Sequence, residues 1–253
     1  HMDETALHTW VVWGLILASP MVVLLLIFVK APYGRHAEDG WGPTLGARAS
    51  WIIMESPTVL VFAAVYAAGL HRAELVPLCL LAIWQFHYVR RTFVFPFLIR
   101  PSGKRMAVLV VASGLLFNSL NAYVNARWIS HLGEYDASWF LDPRFLVGAA
   151  IFAGGWVLNV RSDRTLINLR QPGETGYKVP YGGGYRFVTS PNYLGEILEW
   201  TGWAILTWSL AGVSFALFTA ANLAPRALAN HRWYHEKFAD YPPERRRLIP
   251  FIW

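Results

Sequence analysis

Apolar positions along the chain gather into seven blocks near the roughly 20-residue length that a bilayer-crossing helix needs. They run approximately from Thr9 to Val29, Trp51 to Leu70, Leu75 to Val94, Met106 to Tyr123, Pro143 to Asn159, Tyr193 to Trp208 and Leu210 to Pro225. The last two blocks almost touch, so Thr207 to Ala211 must form a tight turn between antiparallel helices. The pattern predicts an all-α integral membrane protein with seven transmembrane helices and one membrane-embedded domain over residues 3–253. One polar interval stands out, from Asn159 to Glu199. At over thirty residues it is longer than a connection needs, which marks it as a binding element. A second polar stretch, Arg226 to Trp253, is too basic to span and too aromatic to be disordered; it reads as an amphipathic interfacial helix ended by Tyr241-Pro242-Pro243.

Composition agrees with a membrane setting. The chain is 55% hydrophobic with thirteen Trp, and only 15% charged, against roughly 25% in soluble proteins. Threading the 22 Lys and Arg through seven spans leaves only Arg72, Arg127 and Arg144 on one side. The positive-inside rule makes the other side cytoplasmic, with the N-terminus facing away from it and the C-terminus facing it. The net charge of +6 then calls for no nucleic acid: topology accounts for part, and an anionic ligand on the cytoplasmic face for more. Cys79 is the single cysteine, so no internal disulfide forms. His1 and Met2 are set aside as a remnant of expression, and the first apolar run is too long for a cleavable signal. No GxGxxG or Walker sequence is present, hence no Rossmann domain is expected, and any nucleotide must be held by loops and helix ends of the membrane domain.

Polar residues inside the apolar blocks carry the candidate chemistry. A carboxyl within hydrocarbon needs a proton, a cation or a donor, so Glu55 is rarely idle there, and Pro57 frees a backbone carbonyl beside it. Tyr88 needs a partner at depth, for which Glu55 is available, and it can share a face with Gln85. His87, Arg90 and Arg91 approach the helix boundary, where basic side chains snorkel. Asn118 and Asn121, three apart, suit interhelical hydrogen bonds or a ligand. Asn159, Asp163 and Arg170 share one face if their helix continues, while Glu196 and Glu199 share a face where the next helix opens. Gly182, Gly183 and Gly184 permit a sharp turn or close approach to a ligand. Tyr33 and Arg35 sit in a basic turn, and Arg245, Arg246 and Arg247 suit phosphates or anionic lipid. His231 and His235 lack a convergent third ligand, so no metal site is expected.

In that order these residues resemble the steroid 5-alpha-reductase family, the 3-oxo-5-alpha-steroid 4-dehydrogenases. The likeness spans nearly the whole chain: Tyr33-Gly-Arg-His, Trp51, Glu55, His87-Tyr88, Arg91-Thr-Phe-Val, Asn159, Ser162-Asp163, Leu169-Arg170, Pro172-Gly-Glu, Asn192, Leu194-Gly-Glu-Ile, His231-Arg-Trp-Tyr, Asp240-Tyr-Pro and Leu248-Ile-Pro-Phe-Ile. The resemblance implies a seven-helix enzyme that uses NADPH to reduce the 4,5 double bond of a 3-oxo-4-ene steroid. It implies that Glu55 and Tyr88 hold the 3-oxo oxygen, and that Asn159, Asp163, Arg170, Tyr177, Asn192, Glu196, Tyr234 and Arg245, with Tyr33, belong to the cofactor pocket. Met54 stands where the animal enzymes carry Gln, and Asn230 where they carry His. Rival readings are reduction of another lipid double bond (a polyprenol or enoyl thioester), an S-adenosylmethionine-dependent membrane methyltransferase, and a sterol sensor or transporter. Glu55 and Tyr88 have no evident task in methyl transfer, and a sensor does not need the long polar loop. The expected setting is a monomer in a multi-pass membrane location, the inner membrane of a bacterium or the endoplasmic reticulum of a eukaryote, with an apolar substrate entering from the lipid.

Overall fold

The computed structural model describes residues 3–28, 42–99, 105–171, 174 and 176–253. It is helical nearly throughout. The elements are α1 (Glu4–Phe28), α2 (Ala47–Ala67), α3 (Leu75–Val89), the short α4 (Phe95–Leu98), α5 (Val108–Arg127), α6 (Pro143–Asn168), α7 (Pro191–Thr207) and α8 (Leu210–Lys237). Two three-residue strands, β1 (Thr44–Gly46) and β2 (Arg105–Ala107), pair antiparallel ahead of α2 and α5. Seven long helices thus lie where the seven apolar blocks are. Four of them, α1, α2, α5 with its continuation to Leu132, and α6, are long and apolar enough to cross a membrane.

Helix ends follow from local chemistry. Asp142 caps α6 by accepting from the Arg144 backbone N–H, with Pro143 at the first helical position. Trp208 closes α7 in the left-handed conformation, and the Ser209 hydroxyl immediately caps α8 by accepting from Gly212 N at 2.9 Å. This is the tight turn expected between Thr207 and Ala211.

Two boundaries differ from the sequence reading. α6 does not stop at Asn159 but continues to Asn168, because the polar residues that follow keep helical backbone bonds outside hydrocarbon as well as inside it. Arg170 lies beyond that end and does not share the helical face of Asn159 and Asp163. α8 passes through Pro225 to Lys237 without a break, so the tail helix is the continuation of the last long helix and not a separate interfacial one.

The core is aromatic. Trp84, Trp200, Trp203, Phe62 and Phe215 are almost completely buried where α2, α3, α7 and α8 meet, with Trp84 in contact with all four other rings. Each such ring removes about 150–250 Å² from solvent or lipid, which makes this the rigid centre of the bundle. α6 and α7 approach most closely. A Cβ on Gly155 would lie 2.4 Å from Glu199 N, and one on Gly195 would lie 2.4 Å from Asn159 N. Small residues at these crossings let the two backbones pack face to face, as between helices in membranes generally.

Candidate active site

The polar cluster inside the bundle starts at Pro57 of α2. Proline cannot donate to the carbonyl four residues back, and the Ser56 hydroxyl bonds that Ile53 oxygen instead, at 2.9 Å. Neighbouring carbonyls of α2 are taken by side chains from α3 and α5: Trp84 donates to Thr58 O, Gln85 to Val59 O and Asn118 to Met54 O, at 2.8, 3.1 and 2.7 Å. These bonds fix the segment that carries Glu55. The Asn118 amide also lies 3.5 Å from Glu55 Oε2. Asn118 is thus an interhelical tie; Asn121 instead bonds within α5, its side-chain oxygen accepting from the Asn125 amide, and it is Asn125 that ties α5 to α7 by accepting from Trp203.

Across from Glu55, α3 passes into a π-helical turn, Arg90–Val94. Such a turn inserts one extra residue and is frequent at functional sites. It carries Arg91, whose guanidinium lies over the rings of Trp51 (4.7 Å) and Phe95 (5.2 Å). The same group sits 3.5 Å from Glu196 and 3.9 Å from Asp163. Asp163 accepts from the Asn192 amide at 3.1 Å, and the Asn192 carbonyl accepts from Asn159 at 3.0 Å. Arg91, Glu196, Asp163, Asn192 and Asn159 are therefore one contiguous polar chain linking α3, α6 and α7. Glu55 and Tyr88 lie within its electrostatic reach. Tyr88 is buried, stacked on Trp200 with ring centres 5.4 Å apart and tilted against Trp84 at 4.9 Å. No hydrogen bond joins Glu55 to Tyr88 among the described residues, so the expected partnership is proximity rather than a direct bond.

A second cluster lies beyond the end of α6. Here Arg170 donates to Gly176 O at 3.3 Å and faces Tyr177, which packs edge-on against Trp233 of α8. The tail folds back over this loop. Arg246 N donates to Phe187 O and Arg246 O accepts from Thr189 N, at 2.9 and 2.8 Å. That return places Tyr234 against Tyr241 in a parallel stack at 5.1 Å and sets the Arg245 guanidinium over Tyr181 (4.8 Å) and Tyr241 (5.2 Å). The Thr189 hydroxyl contacts His231 Nδ1 at 2.6 Å and the Tyr241 hydroxyl at 2.8 Å. Burial, with His235 and Arg247 nearby, pushes the His231 imidazole down to about 4, so it is neutral at pH 7. A cavity of about 60 Å³ lined by Asn192 and Tyr234 joins the two clusters. A larger one, about 570 Å³, opens beside Arg245 and Tyr181.

Of the residues singled out from sequence, Glu55, Tyr88, Asn159, Asp163, Asn192 and Glu196 fall in the first cluster. Arg170, Tyr177, Tyr234 and Arg245 fall in the second; Tyr33 lies outside the described residues. Two buried polar atoms in these sets, Asp163 Oδ2 and Arg245 Nη1, have no hydrogen-bond partner among the described residues. An anion acceptor for the guanidinium and a hydroxyl or amide donor for the carboxylate would complete both, which is the chemistry a phosphorylated dinucleotide offers. Sequence reasoning missed the roles of His87, Arg91 and Glu199. The spacing was there to be used, since Tyr88 and Arg91, and His87 and Arg91, stand three and four residues apart.

Known proteins carry the same arrangement of sequence. A model of the family described as 3-oxo-5-alpha-steroid 4-dehydrogenase matches residues 104–253. Steroid 5-alpha-reductase DET2 of Arabidopsis thaliana is 42% identical over 94% of this chain and 94% of its own length. The protein named 3-oxo-5-alpha-steroid 4-dehydrogenase 1 is 44% identical in Bos taurus, over 90% of each chain. Its Homo sapiens counterpart is 42% identical over 87% of this chain and 85% of its own. With a family model covering more than half of the chain and relatives at this identity over most of it, the chain belongs to the 3-oxo-5-alpha-steroid 4-dehydrogenase family.

Proposed function

We propose that this protein reduces the 4,5 double bond of 3-oxo-4-ene steroids, as its relatives' names describe for them, and that NADPH is the reductant. The observation that carries the reading is the placing of Glu55 and Tyr88 within electrostatic reach of Arg91, deep among helices, with the Asn159, Asp163 and Asn192 triplet contiguous with that same Arg91. When bound, NADPH supplies a hydride. Asn159, Asp163, Asn192 and Glu196 would hold its nicotinamide-side polar groups, and Arg170, Tyr177, Tyr234 and Arg245 its phosphate and adenosine groups, with Tyr33 completing the set.

Reduction of an enone at its β-carbon builds negative charge on the carbonyl oxygen. A donor fixed in a water-poor site stabilises that charge, and Tyr88, locked by Trp84 and Trp200, is the donor. Glu55 orients Tyr88 or gives a second bond to the oxygen. The apolar walls around both exclude water, which strengthens each of these bonds. All seven long helices cross the membrane in this reading, with residues 159–192 and 226–253 on the cytoplasmic side, and the protein acts as a monomer on substrate drawn from the lipid.

The test is NADPH oxidation by detergent-purified protein with progesterone or testosterone, the product identified by mass. Tyr88→Phe and Glu55→Gln are expected to lower kcat by about 10²-fold or more while NADPH still binds. Wild-type protein that binds NADPH and leaves every 3-oxo-4-ene steroid unchanged would overturn the substrate assignment.

A further inference from the structure

Glu199 and His87 are the most deeply buried ionisable pair among the described residues, and the reaction described above uses neither. Glu199 Oε1 lies 2.5 Å from His87 Nδ1, with the side chains 0% and 5% exposed. The second oxygen, Glu199 Oε2, is buried without a hydrogen-bond partner among the described residues. Such an arrangement is costly. Taking two ionisable groups out of solvent costs several kcal/mol, and a hydrophobic pair of equal volume is often as stable or more so. Stability alone therefore does not explain why the pair is here, and its surroundings supply another reason.

The His87 ring packs edge-on against two rings, Tyr88 at 4.8 Å and Trp200 at 4.8 Å, with interplanar angles of 76° and 72°. Trp200 in turn stacks on Tyr88 at 20°. The three rings form a closed triangle, and among the described residues only one corner, His87, carries a directional bond to something outside it. That bond reaches α7 at the residue preceding Trp200, so one contact fixes both the imidazole and the backbone that presents the indole. Gly155 lets α6 press on Glu199 from behind, its missing Cβ leaving the Glu199 backbone nitrogen room. Tyr88 has no hydrogen bond of its own among the described residues to hold its ring, so ring contacts set where its phenol oxygen sits.

We propose that His87 and Glu199 are positioning residues for the reduction: their bond locks the triangle of rings and so aims the Tyr88 hydroxyl at the substrate's carbonyl oxygen. The inference rests on the reading of Tyr88 as the donor to that oxygen. Small errors in aim matter because a donor has to sit about 2.7–3.1 Å from where the oxyanion develops. Loss of the pair then lowers the chemical step and leaves the binding of both ligands largely intact.

The experiment uses the full chain in detergent and four variants, each first checked for a wild-type-like melting profile and NADPH affinity. The key variant is the double replacement His87→Leu with Glu199→Leu, which removes both polar groups together and refills their volume, so that no unpaired charge is left to unfold it. It is expected to lower kcat by about tenfold to a hundredfold with the steroid KM changed by less than about threefold. His87→Gln, which can still donate to Glu199, is expected to recover most of that loss, whereas His87→Leu alone is not. Tyr88→Phe serves as the reference. If Tyr88→Phe abolishes turnover and the double Leu variant turns over like wild type, the positioning role is wrong and the donor role stands. If Tyr88→Phe itself retains turnover, the donor reading fails and the inference goes with it. A double Leu variant that loses steroid or NADPH affinity in proportion to turnover would also overturn the proposal, since the pair would then be building the pocket rather than aiming a group.

Discussion

The bundle cluster and the loop cluster are built by different means. In the first, Arg91, Glu196, Asp163, His87 and Glu199 sit on three helices, and side-chain bonds join residues 105 and 112 positions apart in sequence. In the second, neighbours in space are mostly rings and backbone groups: Tyr234 on Tyr241, Arg245 over Tyr181, and a tail segment bonded to the residues before α7. A helix-borne site holds its groups as tightly as the helices pack. A loop-borne one holds them only as long as the tail stays docked. Chemistry that needs a donor placed to a fraction of an ångström belongs in the first, and grip on a long, charged, exchangeable ligand in the second.

The largest effect should come from spoiling the helix contact beneath the bundle cluster. In Gly195→Ala the added methyl carbon would sit 2.4 Å from Asn159 N, 2.7 Å from Gly155 O and 2.9 Å from Asn159 Cα. All three are backbone atoms, so no side-chain rotation relieves the clash and α6 and α7 must part. The expected cost is about 1–3 kcal/mol or more of stability, together with lost activity, because Asn159 moves with the backbone it belongs to. Gly182→Ala is the control in the other region. Its Cβ meets nothing within 4 Å, but φ 84° with ψ 168° is a conformation that essentially glycine alone adopts, so about 1–3 kcal/mol of local strain is expected while the α6–α7 contact stays closed. Melting profiles and steroid turnover of the two in detergent decide the matter: an equal loss of turnover in both would erase the distinction between the clusters.

Much of the fold can be read in the sequence because a bilayer imposes a length on every crossing helix: seven long helices stand at the seven apolar blocks, and four of them are long and apolar enough to cross. Helix ends were less legible. Hydropathy reports where hydrocarbon stops, not where a helix stops, and so Asn159 and Pro225 read as termini although α6 and α8 run on past both. The site divides in the same way. Glu55 and Tyr88 stand out because a polar group at depth has few innocent explanations. Arg91, near a block's end, had an ordinary one in snorkelling, and its true partners Glu196 and Asp163 lie on helices that only the tertiary fold brings near. Likewise nothing local marks Glu199 as the partner of His87. The π-helical turn Arg90–Val94 leaves no mark in hydropathy, which registers only the end of an apolar block there.

A smaller and more selective effect is expected in the loop cluster. Removing the guanidinium in Arg245→Ala deletes a cation held between two tyrosine rings, and one charge-assisted bond to a phosphate is worth about 1.5–3 kcal/mol. The affinity for NADPH should fall about tenfold to a hundredfold, with the steroid KM nearly unchanged. Arg245→Lys should recover only part, since an ammonium keeps the charge but loses the planar stacking over Tyr181 and Tyr241. Titrating NADPH and steroid separately checks it. A steroid KM that rises with the NADPH constant would show that the two clusters bind as one.

The smallest effect is set by pH and falls in the loop cluster alone. His231 lies beyond the apolar part of α8, and its imidazole, held at about 4 against an ordinary 6.5, is neutral in the folded chain through most of the acid range. The unfolded chain takes up a proton there as pH falls through 6.5, while the folded chain does not until about 4. Protons thus favour the unfolded or undocked state, so the tail's docking weakens progressively from pH 6.5 down to 4 and levels off below. The bond to Thr189 Oγ1 is the contact at stake, and through it Tyr241 and the ring under Arg245. Limited proteolysis after Lys237, followed from pH 7.5 to 4.5, should show cleavage rising through that window. In His231→Gln, which can still bond Thr189 but does not titrate, the rise should flatten. Cleavage with the same pH dependence in both chains would mean that some other group governs the docking, and that the contrast between a helix-fixed and a tail-docked cluster does not run through His231.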